Sequence, residues 1–269
     1  MNSLFRLLRL PVVLLALLAI VFTPAQAGSA DSKVGKEKYG EAAIRALALK
    51  VNDELDHRKV NVAIIARAGR PRSEMPSGIA YTHVAFIVFE PVRTADGAVS
   101  YTYTVYNLYQ GNQGRDDRSY LKQDLTYDFV AGIAEPDVAI CVPCDALQQR
   151  IIKVIRSPAY RALHNADYNL LTNPWVDRFD NCVTHSLKVC IAAIYQTDDR
   201  TRIYDDIRAY FKPTHVRLGA LQAVGSAFVT GLSREDEDDS GLQTATYNSL
   251  EAFLEQNGLV KEAFTVAVN

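Results

Sequence analysis

The segment FDNCVTHSLKVC, residues 179–190, decides how the rest of the chain is interpreted. Its apolar residues recur at the spacing of one buried helical face. Asp180 and Asn181 are residue types that cap helix N-termini, so a helix is predicted to begin there and to end near Tyr195. Cys182 then lies in the first turn, off the buried face, where backbone N–H groups and the helix dipole favour a thiolate. The segment therefore predicts a nucleophilic cysteine at the start of a helix.

The segment YTHVAFIVFE, residues 81–90, has the strongest strand pattern in the chain. Residues 96–97, Asp-Gly, are a hairpin turn signal, and the aromatic and β-branched residues 100–109 are expected to return antiparallel to the first strand. His83 stands near the start of this hairpin, directly before an apolar run. A histidine at such a position is either an edge residue satisfied by its neighbours or a placed functional group.

The remaining apolar patterns predict an α+β fold, in which a mainly antiparallel sheet packs against helices. We expect residues 28–269 to form a single domain, and residues 111–118 to form a polar loop. Further strands are predicted at residues 60–66, 138–142 and 264–268, and further helices at residues 36–56, 145–156, 203–211 and 248–257.

The chain opens with the pattern of a secretory leader. Arg6 and Arg9 precede an apolar stretch at residues 11–22, and residues 25–27, Ala-Gln-Ala, have the spacing of a cleavage site. We expect cleavage after Ala27 and export to the periplasm or to the medium. The apolar stretch is too short to span a bilayer comfortably, so no stable membrane anchor is expected.

Composition limits the classes of function. The chain carries 29 basic and 31 acidic residues without a basic block, which argues against nucleic acid as a partner. The predicted mature chain of about 240 residues is long enough to bury a sizeable core without cross-links. Four cysteines are too few for a disulfide scaffold in a chain of this length, so each cysteine is considered for chemistry.

The order of these elements resembles the circularly permuted branch of the NlpC-type papain-like superfamily. In that branch the histidine strand precedes the cysteine helix, as His83 precedes Asn181-Cys182 by about a hundred residues here. The segments SGIAYTHVAFIVFE, VYNLYQG, SPAYRALHNADYNLLTNPW and NCVTHSLKVCIAAIY also resemble a family of secreted bacterial proteins known only as a domain of unknown function. The resemblance implies a papain-like fold and a cysteine–histidine site, and it implies no substrate.

In the superfamily that this chain resembles, a polar side chain on the strand after the histidine strand orients the imidazole. Here that strand offers Asn107 and Gln110. A tight two-residue turn places Gln110 opposite His83, and a looser hairpin places Asn107 there. We favour Asn107 because it is the one polar amide inside an otherwise aromatic and aliphatic stretch. The alternative is an amide that is satisfied by neighbouring backbone.

The resemblance thus implies a catalytic set of Cys182, His83 and Asn107. His83 takes the thiol proton or holds a thiolate–imidazolium pair, and Cys182 attacks an amide or ester carbonyl. The expected function is that of an exported cysteine amidohydrolase, peptidase or acyltransferase without a cofactor. Its partner is a peptide or acyl substrate, with peptidoglycan as one candidate. The alternative is a papain-like module that binds a ligand and has no catalytic activity.

A further alternative rests on Cys141 and Cys144, which form a CxxC pair before a predicted helix. Together with Cys182 and His185 they have a spacing that suits zinc, and this would make the protein a metal-stabilised binding domain. In an exported chain the CxxC pair also suits a redox pair or a small disulfide. Cys190 lies on the apolar face of its helix and is expected to be a core residue.

The charged clusters favour structural roles. Arg67, Arg70 and Arg72 precede the histidine strand and are candidates to bind a substrate carboxylate, but a solvated loop is the favoured interpretation. Residues 233–240, SREDEDDS, are expected to form an acidic solvated loop. His185 lies one helical turn after Cys182 on the same helix face, where it could touch the thiol but is poorly aimed to act as its base. The alternative is a side chain that faces solvent.

Overall fold

A six-stranded antiparallel sheet forms the centre of the fold, and helices pack on it, so the predicted α+β class is confirmed. The computed structural model describes residues 34–268 apart from 94–95, 218–231 and 238–240; the predicted export leader lies outside the described residues. The strand order is β4-β3-β2-β1-β5-β8. These strands are β1 Val62–Arg67, β2 His83–Arg93, β3 Val99–Asn112, β4 Arg115–Leu125, β5 Asp137–Pro143 and β8 Val260–Ala267.

The helices are distributed along the whole described chain, and a two-stranded ribbon of β6 Thr214–His215 and β7 Gln243–Thr244 lies outside the main sheet. None of the helices that the structure describes has both the length and the apolar character needed to cross a bilayer. The helices are α1 Val34–Tyr39, α2 Glu41–His57, α3 Thr126–Val130, α4 Asp145–Ile155, α5 Ala159–Ala162, α6 Cys182–Tyr195, α7 Arg200–Tyr210 and α8 Tyr247–Gln256.

Helices cover both faces of the sheet. Successive side chains of a strand point to opposite faces. On β2, Val84 and Phe86 therefore pack with α4, α6 and α8 in the larger core cluster. Ala85 and Ile87 pack with α2 and α3 in a second cluster on the other face. The central strand that begins at His83 is thus buried between two helical layers.

Two predicted elements differ from the structure. Residues 111–118 are not a loop, because β4 begins at Arg115 and continues to Leu125 as an edge strand. Edge strands keep much of their surface in water, so β4 lacks the apolar alternation by which a buried strand is recognised. The single helix predicted at residues 36–56 is divided at Gly40, whose φ of +81° is a backbone conformation that glycine adopts readily.

Candidate functional site

Cys182 is the first residue of α6, and the side chain of Asn181 fixes the start of this helix. The Oδ1 atom of Asn181 accepts hydrogen bonds from the backbone N–H groups of Val183 at 3.0 Å and Thr184 at 2.8 Å. Its Nδ2 atom donates to the carbonyl oxygen of Leu170 at 3.1 Å. Both ends of the amide are therefore used, and the first turn that carries Cys182 is held in one orientation.

The thiol of Cys182 lies against the backbone on either side of His83. Its Sγ atom is 3.9 Å from the carbonyl oxygen of Thr82, and the backbone N–H of Val84 also interacts with the sulfur. The side chain is only 5 % exposed, and burial raises the pKa of the thiol to about 11. The expectation that Cys182 lies off the buried face is therefore wrong, and burial outweighs the helix terminus and its N–H groups, which favour the thiolate.

The imidazole of His83 is enclosed by two aromatic rings. The ring of Tyr109 stacks on it with centroids 5.0 Å apart, and the ring of Phe129 lies at 5.6 Å. Its Nε2 atom is 2.9 Å from Oδ1 of Asn107, whereas Nδ1 makes no hydrogen bond within the described residues. Burial, aided by the nearby charge of Arg67, lowers the pKa of His83 to about 3, so the ring is neutral at neutral pH.

The contacts of Asn107 determine which nitrogen of His83 carries the proton. Its Nδ2 atom donates to Oδ2 of Asp124 at 3.0 Å, which leaves Oδ1 as the acceptor that faces His83. The proton therefore resides on Nε2 of His83, and Nδ1 keeps a free lone pair. Gln110, the other candidate for this role, instead donates to a backbone carbonyl of β4.

The hairpin register differs from both predicted registers. Ala85 pairs with Asn107, so Asn107 is the diagonal neighbour of His83 on the same face of the sheet. Neither the tight turn, which places Gln110 opposite His83, nor the looser hairpin, which places Asn107 there, is correct. The contact between His83 and Asn107 therefore arises diagonally across the two strands.

The structure brings two of the three predicted site residues into direct contact. His83 and Asn107 are hydrogen-bonded, and the thiol of Cys182 contacts the backbone carbonyl of Thr82, the residue directly before His83. No hydrogen bond joins the thiol to the imidazole, although both groups belong to the described part of the chain. Cys182 packs in the cluster on the α6 face, whereas Phe129, which contacts the imidazole, belongs to the cluster on the other face. A proton transfer between the thiol of Cys182 and the imidazole of His83 therefore requires a movement at the start of β2, where His83 lies.

Cys182 borders a narrow pocket of about 40 Å³, which has room for only a few heavy atoms. The walls come from the loop before β2, the segment before α6, and the strand β7. No charged side chain lines the pocket within the described residues, and its polar groups are hydroxyls and amides. They include Tyr81, Thr82, Tyr168, Thr244 and Thr246. This pocket suits an uncharged group next to the thiol.

The residues of the zinc alternative do not converge. Cys141 is buried in β5, and Cys144 precedes α4. His185 packs against the ring of Tyr160 with centroids 5.0 Å apart. All four cysteines are free thiols, and no three histidine, cysteine or acidic side chains come together as a metal site in the described ranges. The geometry therefore gives the zinc alternative no support.

Two of the three arginines before the histidine strand, Arg67 and Arg72, are held by structural contacts, which the interpretation as a solvated loop did not predict. Arg67 is the last residue of β1, is only 2 % exposed, and donates to the carbonyl oxygen of Phe129. Its guanidinium fills the space above Gly132, where an added Cβ would lie 1.1 Å from Nη1. Arg72 forms a bidentate ion pair with Asp137 at 2.7 and 2.8 Å. Both side chains therefore have structural partners.

A buried polar cluster beneath α6 is absent from the sequence prediction. Lys188 and Asp180 are fully buried and form an ion pair at 2.8 Å, and Lys188 also donates to the carbonyl oxygen of Leu163. His185 is only 2 % exposed, and neither ring nitrogen makes a hydrogen bond within the described residues, so the alternative in which it faces solvent is wrong. One signal was present in the sequence, since Lys188 stands between the apolar residues Leu187 and Val189, about two helical turns after Asp180.

The acidic segment at residues 233–240 was predicted to be a solvated loop, but Asp236 within it is buried. Asp236 is 3 % exposed, and its carboxylate accepts hydrogen bonds from Asn169, Thr172 and the backbone N–H of Asn173. The described part of the segment is therefore not merely solvated. It fixes the loop that leads into Asn181 and Cys182.

The fold and the site define an α+β protein with a capped cysteine helix packed on a strand that begins with histidine. Residues 54–254 match the family model described as an uncharacterized protein conserved in bacteria (DUF2145), and the chain belongs to this family. The matched range contains His83, Asn107 and Cys182. Comparisons with curated proteins and with solved structures found no match.

Proposed function

We propose that the protein is a cysteine hydrolase or acyltransferase of the circularly permuted NlpC-type papain-like class. Cys182 is the nucleophile, His83 the base and Asn107 the residue that orients the base. The observation that carries this proposal is the Cys182 thiol lying against the backbone on both sides of His83, whose Nδ1 lone pair is free. The chain order of histidine strand and cysteine helix agrees with the permuted class.

The reaction begins with a neutral pair of side chains. Because the pKa of Cys182 is raised to about 11 and that of His83 is lowered to about 3, a resting thiolate–imidazolium pair is disfavoured. His83 therefore acts as a general base that takes the thiol proton on Nδ1 as the sulfur attacks. Asn107 supports this step by accepting the Nε2–H bond, which keeps Nδ1 unprotonated in the resting state.

The chemical steps begin once a movement at the start of β2 brings the imidazole of His83 into contact with the thiol of Cys182. The Sγ atom of Cys182 adds to an amide or ester carbonyl, and the thiol proton moves to His83. The tetrahedral intermediate collapses, the imidazolium protonates the leaving amine or alkoxide, and a thioester remains on Cys182. Water, or an acceptor alcohol or amine, then gives a proton to His83 and attacks the thioester. Cleavage of the thioester returns the proton to the sulfur.

Export and substrate belong to the same proposal. The leader at residues 1–27 supports action in the periplasm or outside the cell. Stem peptides of peptidoglycan are amide substrates that are available there. The uncharged pocket next to Cys182 agrees with a small neutral group, such as an alanyl side chain, at the acyl position.

The test is the formation of an acyl-enzyme. The mature protein is mixed with p-nitrophenyl acetate, and the burst of nitrophenol and the mass of the intact protein are followed. We expect one acetyl adduct on the peptide that contains Cys182. Cys182→Ala should abolish the burst, and His83→Ala and Asn107→Ala should each slow it. Cys144→Ala removes a partly exposed thiol and is the matched control, so its burst should equal that of the wild type.

A module that binds without catalysis is the second candidate. It is favoured by the burial of Cys182 and by the missing hydrogen bond between its thiol and His83. Acylation that is absent, or that persists unchanged in His83→Ala, would refute the catalytic proposal. Absent acylation together with an intact thiol would favour the binding module, whereas acylation that persists in His83→Ala would show that His83 is not the base.

A further inference from the structure

The edge of β4 is only partly covered. A neighbouring segment pairs with its first half, because the N–H of Ser119 donates to the carbonyl of Ala166 and the N–H of Tyr168 donates to the carbonyl of Asp117, both at 2.8 Å. Along a strand the outward-pointing backbone groups recur at every second residue. The outward groups of Leu121 and Gln123 therefore lie on the same edge, and no backbone partner covers them within the described residues.

A cleft of about 1100 Å³ lies beside this uncovered edge. One wall is β4, and the other is the end of α4 together with α5. Leu121 and the ring of Tyr160 supply apolar surface, and His164 closes one end through a 2.9 Å contact between its Nε2 atom and the hydroxyl of Ser119. The cleft shares no lining residue with the pocket at Cys182, so this inference does not rest on the proposed function.

Two arginines give the cleft its charge. Arg156 and Arg161 both line it, are exposed, and make no ion pair with any described side chain. Lys122, which also lines the cleft, is neutralised by Asp124 at 2.7 Å. Burial together with nearby positive charges lowers the pKa of His164 to about 4, so this ring adds no charge at neutral pH. The cleft therefore offers two available guanidinium groups beside an unpaired strand edge.

We propose that this cleft binds an extended acidic peptide segment, which adds to the sheet as a further strand beside residues 121–123. Backbone hydrogen bonds to the edge of β4 supply the register. Alternate side chains of the peptide point into the cleft, where carboxylates meet Arg156 and Arg161. The partner is thus a protein segment with acidic residues at every second position.

The test measures binding of labelled peptides to the mature protein by fluorescence anisotropy. The acidic probe is a heptapeptide of alternating threonine and glutamate, and the control probe has lysine in place of glutamate. We expect the acidic probe to bind and the lysine probe to bind at least about tenfold more weakly. Arg156→Gln combined with Arg161→Gln should weaken the acidic probe by about tenfold, since exposed ion pairs contribute modestly. Arg45→Gln combined with Arg202→Gln, which removes two exposed arginines outside the cleft, is the matched charge control.

A backbone variant separates strand addition from simple charge attraction. Gln123→Pro removes one outward N–H and leaves the hydrogen bonds between β4 and β3 in place. Proline is tolerated on an edge strand at a position whose N–H points away from the sheet, as that of Gln123 does. It should weaken the acidic probe by about fivefold, whereas Gln123→Ala should bind like the wild type. Hydrogen exchange of residues 119–125 in the wild type gives an independent readout, and bound acidic peptide should slow it. Equal binding of both probes, no binding, or unchanged exchange would overturn the proposal.

Discussion

Replacement of Lys188 by methionine is expected to destabilise the protein strongly. Lys188 is fully buried on α6, and its ammonium group has two partners, the carboxylate of Asp180 and the carbonyl oxygen of Leu163. Methionine fills a similar volume but leaves the charge of Asp180 without a counter-ion in the core. Asp180, which is left with the unpaired charge, directly precedes Asn181, the N-cap of α6.

The expected loss of stability follows from the complete burial of the Lys188–Asp180 ion pair. Breaking a buried ion pair by removing one partner costs about 3–5 kcal/mol, because the remaining charge stays desolvated. Burial raises the pKa of Asp180 and lowers that of Lys188, so for each group desolvation outweighs the attraction of its partner. For a domain of this size, a loss of about 4 kcal/mol lowers the melting temperature by roughly 10 °C.

The assay is chemical unfolding of the wild type, Lys188→Met, Asp180→Asn and the double variant. Asparagine at position 180 keeps an acceptor for the backbone N–H of Asn165, which now bonds Asp180 at 2.8 Å. Because removal of both charges also removes the desolvation penalty, the double variant should recover most of the free energy of unfolding lost in Lys188→Met. A Lys188→Met variant within about 1 kcal/mol of the wild type, or a double variant as unstable as the two losses added, would refute this reasoning.

Three further predictions follow from the same geometry. Gly132→Ala should lower the free energy of unfolding by about 1–3 kcal/mol, because the new Cβ displaces the guanidinium of Arg67; an unchanged urea midpoint would show that this side chain moves aside freely. Asn181→Ala should lower the free energy of unfolding by about 1 kcal/mol through loss of the N-cap. An unchanged free energy of unfolding would argue against the cap as a determinant of α6. Alkylation of Cys182 by iodoacetamide should accelerate with pH up to the thiol pKa of about 11. At pH 7.5 it should be at least about tenfold slower than for a free cysteine of pKa about 8.5, because the smaller thiolate fraction outweighs the greater nucleophilicity of a more basic thiolate; a plateau below pH 9 would contradict the burial of the thiol.

The sequence predicts well what local pattern determines. The start of α6 is readable because Asn181 is a strong capping residue and the apolar spacing that follows is regular. The strand that begins near His83 is readable because it is central and carries a long apolar run. Both elements are specified within a dozen residues of chain, so tertiary contacts reinforce the pattern without altering it.

Other features depend on partners that are distant in the chain. The burial of Arg67 requires the missing side chain at Gly132, and the burial of Lys188 requires a carboxylate and a carbonyl beyond its own helix. The hairpin register depends on loop length, since the last observed pair, Arg93 with Val99, leaves five residues where a tight turn has two. Sequence periodicity contains no information about such distances.

The family model matches a shorter range of residues than the range that packs into the folded structure. The matched range, residues 54–254, begins inside α2 and stops before β8. Yet Ile44 and Val51 of α2 have no exposed surface, and β8 pairs with β5 along its full length. A polypeptide trimmed to the matched range would lose part of one core and leave β5 as a bare edge, open to aggregation. Expression of relatives should therefore retain the equivalents of residues 34–267, since the segment that defines the family is smaller than the unit that folds.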